Sequence, residues 1–181
     1  PVSFEEIAAR YERDSSAQRS AADRLLALAE VGPAADVLDV GCGTGALLAR
    51  LRAATRGRVA GVDPSARMID EARRALPGGI ELARLAAEDL PYQAEFDLVL
   101  SNSALQWFRD APAALARFRA ALRPGGRTVI QAPATSRYSP ELVDAVGEVA
   151  RDPATREVFA TWRSPWLLLE SAEAYAGLVA A

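Results

Sequence analysis

The sequence predicts a doubly wound α/β fold built on a parallel sheet, and three observations carry that expectation. Short apolar runs alternate with stretches of helical length and periodicity along most of the chain. The first apolar run passes straight into a cluster of three glycines, VLDVGCGTG at 37–45. The second, GRVAGVDPS at 57–65, ends on the acidic Asp63. Strands separated by helical segments require crossovers, which are right-handed and return each strand parallel to the last.

Taken in order, residues 15–30 set Ala17, Ala21, Ala22, Leu25, Leu28 and Ala29 near one helical face, and Gly32-Pro33 stops the helix. A strand follows at 36–40, then a helix at 44–55 beginning near Thr44. A strand at 58–62 leads to a helix at 65–76 started by Ser65, and Pro77-Gly78-Gly79 makes a turn. Next come a strand at 80–85, a loop through Pro91, a strand at 96–100 and a helix at 111–122. The turn Pro124-Gly125-Gly126 precedes a strand at 127–132. Ser139-Pro140 and Asp152-Pro153 each read as an N-cap with proline at the first helical position. Helices are therefore expected at 139–150 and 153–161, with TWRSPWLLL as a linking or lid segment and a last helix at 171–180.

Every polar motif falls at the carboxyl end of a predicted strand, where ligands of such sheets bind. Glycine suits the crossing from first strand to first helix because it accepts positive φ and has no Cβ to block a ligand. Backbone N–H groups at the helix start then face a nucleotide-like ligand. An acid at the tip of the second strand is where a ribose presents its two hydroxyls. Gly41-x-Gly43-x-x-Ala46 also satisfies the loose dinucleotide pattern, so the turn alone leaves a nicotinamide cofactor open.

Composition narrows the chemistry. The chain has 181 residues, half of them apolar, which fits one domain burying roughly 70% of its unfolded surface. No run approaches the roughly 20 apolar residues of a membrane span. The opening PVSFEEIAARYERD does not read as a signal peptide, so a cytoplasmic protein is expected. A net charge of −3 gives no general attraction to nucleic acid. The chain has no histidine, and all 21 of its basic residues are arginine, as a GC-rich genome would produce. No histidine base, Schiff-base lysine or Ser–His–Asp triad can come from it. One cysteine, Cys42, excludes an internal disulfide, and without histidine no metal site is expected.

The company the glycine turn keeps is more specific. VLDVGCGTG, GVDPS followed by Met68, AAEDLPY (86–92), FDLVLSNSALQW (96–107) and LRPGG (122–126) stand in order and spacing that resemble class I S-adenosylmethionine-dependent methyltransferases. The resemblance runs from about residue 5 to 132. It implies a Rossmann-like sheet in the order 3-2-1-4-5 and S-adenosyl-L-methionine as cofactor. It places Gly41, Cys42, Gly43 and Gly45 against the methionine part of the cofactor, with Asp39 near its amino group. Asp63, followed by Pro64, would accept both ribose hydroxyls. Met68 would pack on adenine, or alternatively fill the core. Many relatives carry an aspartate where this chain has Ala86, which leaves Ala87 and Glu88 to address the base edge and Asp89 as a solvated charge. Ser101 would supply main-chain contacts, and Asn102 to Trp107 would line the reaction chamber. Trp107 and Phe108 could instead start a helix and fill the core.

SNSALQW, with the amino-terminal Tyr11 and Gln18, is similar to the group containing malonyl-carrier-protein O-methyltransferase and trans-aconitate methyltransferase. Both methylate carboxylates, which are ionised at neutral pH and need no base. Ser103-Ala104 stands where enzymes acting on exocyclic nucleobase amines carry Pro-Pro-aromatic, so a nucleic-acid substrate is not expected. Tyr11 is the first candidate for substrate contact; Arg137, Arg156 and Arg163 are candidate carboxylate holders or ordinary surface residues. Relatives continue with two more strands where this chain stops, which leaves the fifth strand as an edge, with homodimer formation one way to cover it. The expected organisation is a single domain over 1–181: a helical lid at 1–32, a cofactor-binding core at 33–132 and a helical part, expected to be truncated, at 133–181. A small-molecule O-methyltransferase is the leading expectation. Carbon or nitrogen methylation, an NAD-dependent oxidoreductase and a cofactor-binding subunit without activity are the alternatives.

Overall fold

The apolar run Val37–Val40 forms strand β1, buried along its whole length. The computed structural model describes residues 16–133, 140–161, 167, 169 and 171–180. Within them, β1 is joined by β2 (Val59–Asp63), β3 (Glu81–Arg84), β4 (Phe96–Asn102) and β5 (Leu122–Gln131). All pair in parallel, in the order β3-β2-β1-β4-β5 expected from the sequence. Asp39 is opposite Gly61 of β2 and Leu100 of β4. Because β2 and β4 flank β1, the loops leaving β1 and β4 diverge, and a crevice opens at that switch point.

The two-residue period of the strands divides the core. Val37, Val59, Leu98 and Leu100 meet α1 (Ser16–Ala29), α2 (Ala46–Ala54) and α3 (Ala66–Ala75) through Leu25, Leu48, Leu51 and Ile69. Leu38, Val40, Val62 and Val99 face α4 (Ala111–Ala121) through Ala114 and Phe118. Leu28, expected on the buried stripe of α1, is 68% exposed. Ser65 caps α3 by accepting the Met68 N–H at 3.2 Å, and Asp110 caps α4 through the Ala113 N–H at 3.0 Å.

The amino ends of the strands are closed by charge. The Asp36 carboxylate accepts the Arg58 N–H at 2.7 Å and the Arg123 guanidinium at 2.7 Å. Those bonds hold it below the usual carboxylate range. Arg58 reaches Glu81 and Glu95, both at 2.7 Å, and lies 4.8 Å above the Phe96 ring centroid. No helix among the described residues is long and apolar enough to cross a membrane.

Two elements differ from expectation. β5 does not start after Pro124-Gly125-Gly126 but runs through it. Phe96 pairs with Leu122 and Leu98 with Arg127, so β5 bulges between those pairs around Gly125 at φ +81°. Asp152 does not begin a helix: its carboxylate accepts the Ala154 N–H at 2.7 Å, and α6 is confined to Arg156–Ala160. A side chain that closes a local turn competes with the first helical turn. α5 (Pro140–Arg151) and α7 (Ala172–Ala180) form near their expected places, whereas Ser139 lies outside the described residues.

α7 has no buried residue and packs on α4. It is tied down by one hydroxyl: Tyr175 donates to the Pro133 carbonyl at 2.7 Å and accepts the Leu169 N–H at 3.1 Å. Losing both bonds should cost this segment about 1–2 kcal/mol. Tyr175→Phe is therefore expected to speed hydrogen exchange at Leu169 by about 5–30-fold, leaving the β1 amides unchanged. Equal exchange in both proteins would remove the tether.

Candidate functional site

The turn after β1 is folded back onto β2. The Gly41 and Cys42 N–H groups both donate to the Val62 carbonyl, at 2.8 and 3.0 Å. Gly45 donates to the Cys42 carbonyl at 3.0 Å. Gly41, Gly43 and Gly45 have φ of +80°, +54° and +88°, a region that side chains disfavour. α2 therefore starts at Ala46, with Gly45 as a left-handed cap, two residues after the expected Thr44.

The three glycines have different reasons to be glycine. A Cβ at Gly41 would stand 2.3 Å from the Ala104 Cβ, and one at Gly45 2.6 Å from Leu76. At Gly43 it would meet nothing within 4 Å. Gly41 and Gly45 thus clear protein neighbours, and of the three Gly43 alone faces open space. Cys42 is buried, with Sγ near the position a Gly61 side chain would take. Burial pushes its thiol well up, so it is a small packing residue rather than a nucleophile.

Asp63 grips this turn from the end of β2. One carboxylate oxygen accepts the Gly43 N–H at 3.0 Å and the other the Ser65 N–H at 2.9 Å. The neighbouring Pro64 is exposed, and its carbonyl accepts from Arg84 at 3.0 Å. Met68 is only 2% exposed.

Asp39 is the most unusual group in the site. It is 1% exposed, and its Oδ1 has no hydrogen-bond partner. Burial lifts its carboxyl to about 7, and the Asp63 charge adds to the effect. Buried polar atoms are nearly always paired, so an orphan here marks a place where a donor or cation belongs. It also has a stability consequence. A carboxyl titrating near 7 when folded and near 3.8 when unfolded makes the native state bind more protons between those values. Stability then falls as pH rises across that window, by up to roughly 4 kcal/mol. Asp39→Asn is expected to abolish that slope and to raise unfolding free energy at pH 8 by about 2–4 kcal/mol. Identical urea midpoints for both proteins from pH 4 to 8 would refute it.

At the end of β4, the Ser101 hydroxyl donates to the Val40 carbonyl at 3.0 Å, locking β4 to β1. Asn102 is half-buried at the strand's last position. Ser103 then takes φ +55°, and all its polar groups are held. Its N–H donates to the Gln131 carbonyl at 2.9 Å, its hydroxyl to Gln131 Oε1 at 2.6 Å, and its carbonyl accepts from Gln106 Nε2 at 2.8 Å. This pinned residue directs Ala104 against Gly41. Ser103, Ala104 and Gln106 lie in the stretch expected to line the reaction chamber, whereas Gln131 was not singled out from the sequence. The readable signal was polar residues at the ends of two adjacent strands. Phe108 packs edge-on against Phe118 with centroids 6.0 Å apart, whereas Trp107 remains 38% exposed.

The loop after β3 is tied to α4. Glu88 Oε1 accepts the Arg109 and Asp110 N–H groups at 2.7 and 3.1 Å. Burial opposes the charge, but these bonds outweigh it and hold the carboxyl low. The structure thus gives Glu88 an anchoring task that the sequence did not suggest. Ala87 is in the core, and Asp89 pairs with Arg109 at 3.1 Å. Arg156 is exposed on α6; Tyr11, Arg137 and Arg163 lie outside the described residues.

Residues 37–126 match the family model described as a methyltransferase domain. The chain is 40% identical over 134 residues to trans-aconitate 2-methyltransferase of Deinococcus radiodurans, covering 72% of this chain and 50% of that protein. It is 38% identical over 130 residues to malonyl-[acyl-carrier protein] O-methyltransferase of Hahella chejuensis, covering 70% and 47%. The chain thus spans about half the length of these relatives. Among solved structures, an S-adenosylmethionine dependent methyltransferase from Mesorhizobium loti superimposes with a TM-score of 0.59 at 32% identity, over 67% of this chain and 56% of that one.

Proposed function

Because this chain belongs to the methyltransferase domain family, we propose that it binds S-adenosyl-L-methionine at the turn after β1 and transfers its methyl group to a carboxylate oxygen of a small or carrier-bound acid. The observation that carries this reading is an open glycine flanked by two carboxylates. Gly43 leaves a cradle with nothing within 4 Å of where a Cβ would stand, Asp39 offers an orphaned buried acceptor, and Asp63 holds the turn. Such a set fits a ligand bearing positive charge and a ribose.

When bound, the cofactor supplies a methyl group already activated by a sulfonium. The protein's work is then to hold and orient. A carboxylate offers about four acceptor sites, so gripping the turn and accepting two hydroxyls are compatible tasks for Asp63. Gly41, Cys42, Gly45, Pro64, Met68, Ala87, Glu88 and Ser101 are assigned to shaping the cofactor side. Tyr11, Asn102 and Trp107 are assigned to the acceptor side. Aligning an anionic oxygen behind the methyl is an orientation effect, and drying the site strengthens it.

A carboxylate acceptor is favoured because it needs no base, and the chain has neither histidine nor lysine. The two relatives named above act, by their names, on trans-aconitate and a malonyl thioester, both of which carry a free carboxylate.

The test is incubation with methyl-labelled cofactor and a panel of carboxylic acids and acyl-carrier thioesters. Label released by mild base identifies a methyl ester. Base-stable label moves the assignment to carbon or nitrogen. Cofactor affinity without turnover on the panel points to a binding subunit. Affinity for NADH in place of S-adenosyl-L-methionine overturns the reading.

A further inference from the structure

We infer that binding of the cationic cofactor expels a proton from Asp39, so that this carboxyl is the neutral acid in the free protein and the carboxylate in the complex. The inference rests on the cofactor reading above and adds a proton to it. Its basis is the arrangement around Asp39. The residue is on the central strand two positions before the glycine turn, 1% exposed, with Oδ1 unpaired. Its strand neighbours are Gly61 and Leu100, neither of which can carry charge. The Ser101 hydroxyl is turned to the Val40 carbonyl. The helices packed on its face contribute Leu47, Leu48, Leu51 and Ile69.

Among the described residues, the titratable groups coupled to Asp39 are the Asp63 carboxyl and the Cys42 thiol. Neither supplies positive charge. Asp63 is more exposed and accepts two backbone N–H bonds, both of which favour a charged carboxylate there over one at Asp39. Two carboxylates beside one turn repel, and the buried one gives way. Its raised titration is the expected consequence. A sulfonium and an ammonium brought to the turn reverse that balance. The Asp39 O–H bond then breaks, the electron pair stays on the carboxylate and the proton leaves to the buffer.

The linkage has a definite sign. A reaction that releases a proton tightens as pH rises, by about tenfold per pH unit while the free protein holds that proton. The dependence flattens once pH exceeds the free-state titration near 7. Titration calorimetry of the chain with S-adenosyl-L-methionine, in buffers of different ionisation enthalpy, counts the protons directly. At pH 6 the release should approach one proton, and it should decline toward zero by pH 8.5.

Asp39→Asn should remove the release at pH 6 and flatten the affinity profile. Binding by the wild-type protein with no net proton release at pH 6 overturns the inference while leaving the cofactor assignment intact. So does release that persists in Asp39→Asn. Absence of any cofactor binding overturns the assignment itself.

Discussion

Gly41→Ala should be strongly damaging. We expect a loss of about 2–5 kcal/mol in unfolding free energy together with loss of cofactor binding. The new Cβ would stand 2.3 Å from the Ala104 Cβ, far inside contact distance, and the residue would have to hold φ +80°. The left-handed region costs a side chain about 1–2 kcal/mol, and overpacking adds about 1–3 kcal/mol. Neither partner can swing away, because a methyl carbon has no rotamer. Relief would have to come from the backbone after β4. That backbone is held by the three bonds from Ser103 to Gln131 and Gln106.

Gly43→Ala provides the contrast. With nothing within 4 Å of its Cβ, it should cost only about 1–2 kcal/mol of left-handed strain yet still weaken binding of the proposed cofactor. Urea denaturation and calorimetry on the two variants separate packing from ligand approach. Equal stability losses for the two would contradict this division of labour.

Asp63→Ala should lower affinity for S-adenosyl-L-methionine by about 1.5–3 kcal/mol, or roughly 10–150-fold, as the loss of a charged hydrogen bond predicts. The same variant should also lose stability, since the Gly43 and Ser65 N–H groups give up their acceptor. Asp63→Asn keeps one oxygen and should fall between the two. Unchanged affinity in Asp63→Ala, measured by calorimetry, would take this residue out of the site.

Most strands and helices were readable because local signals agreed with the global pattern, and the strand order was implied by the family resemblance. VLDV, GVD and FDLVL are apolar runs with turn residues at their ends, and the caps at Ser65 and Asp110 use side chains of the right type. The misreadings occurred where a local rule met a competitor. Pro124-Gly125-Gly126 is a good turn, but pairing with β4 continues on both sides of it and makes it a bulge. Asp152-Pro153 is a good helix start, but the carboxylate closes a short turn of its own.

The sequence by itself determined the alternation of strands and helices, and, through its family resemblance, the order of the sheet and the three places where the proposed site is set: the end of the first strand, Asp63 and the end of the fourth strand. The alternation follows from composition and spacing, which are local properties of the chain. Only the tertiary structure decided what each residue does there. It set Gly41 and Gly45 against protein and Gly43 against open space, turned Glu88 into an anchor for α4, and buried Asp39 without a partner. The physical reason is that clearance, burial and pairing belong to distances between segments far apart in sequence, and no local signal encodes them.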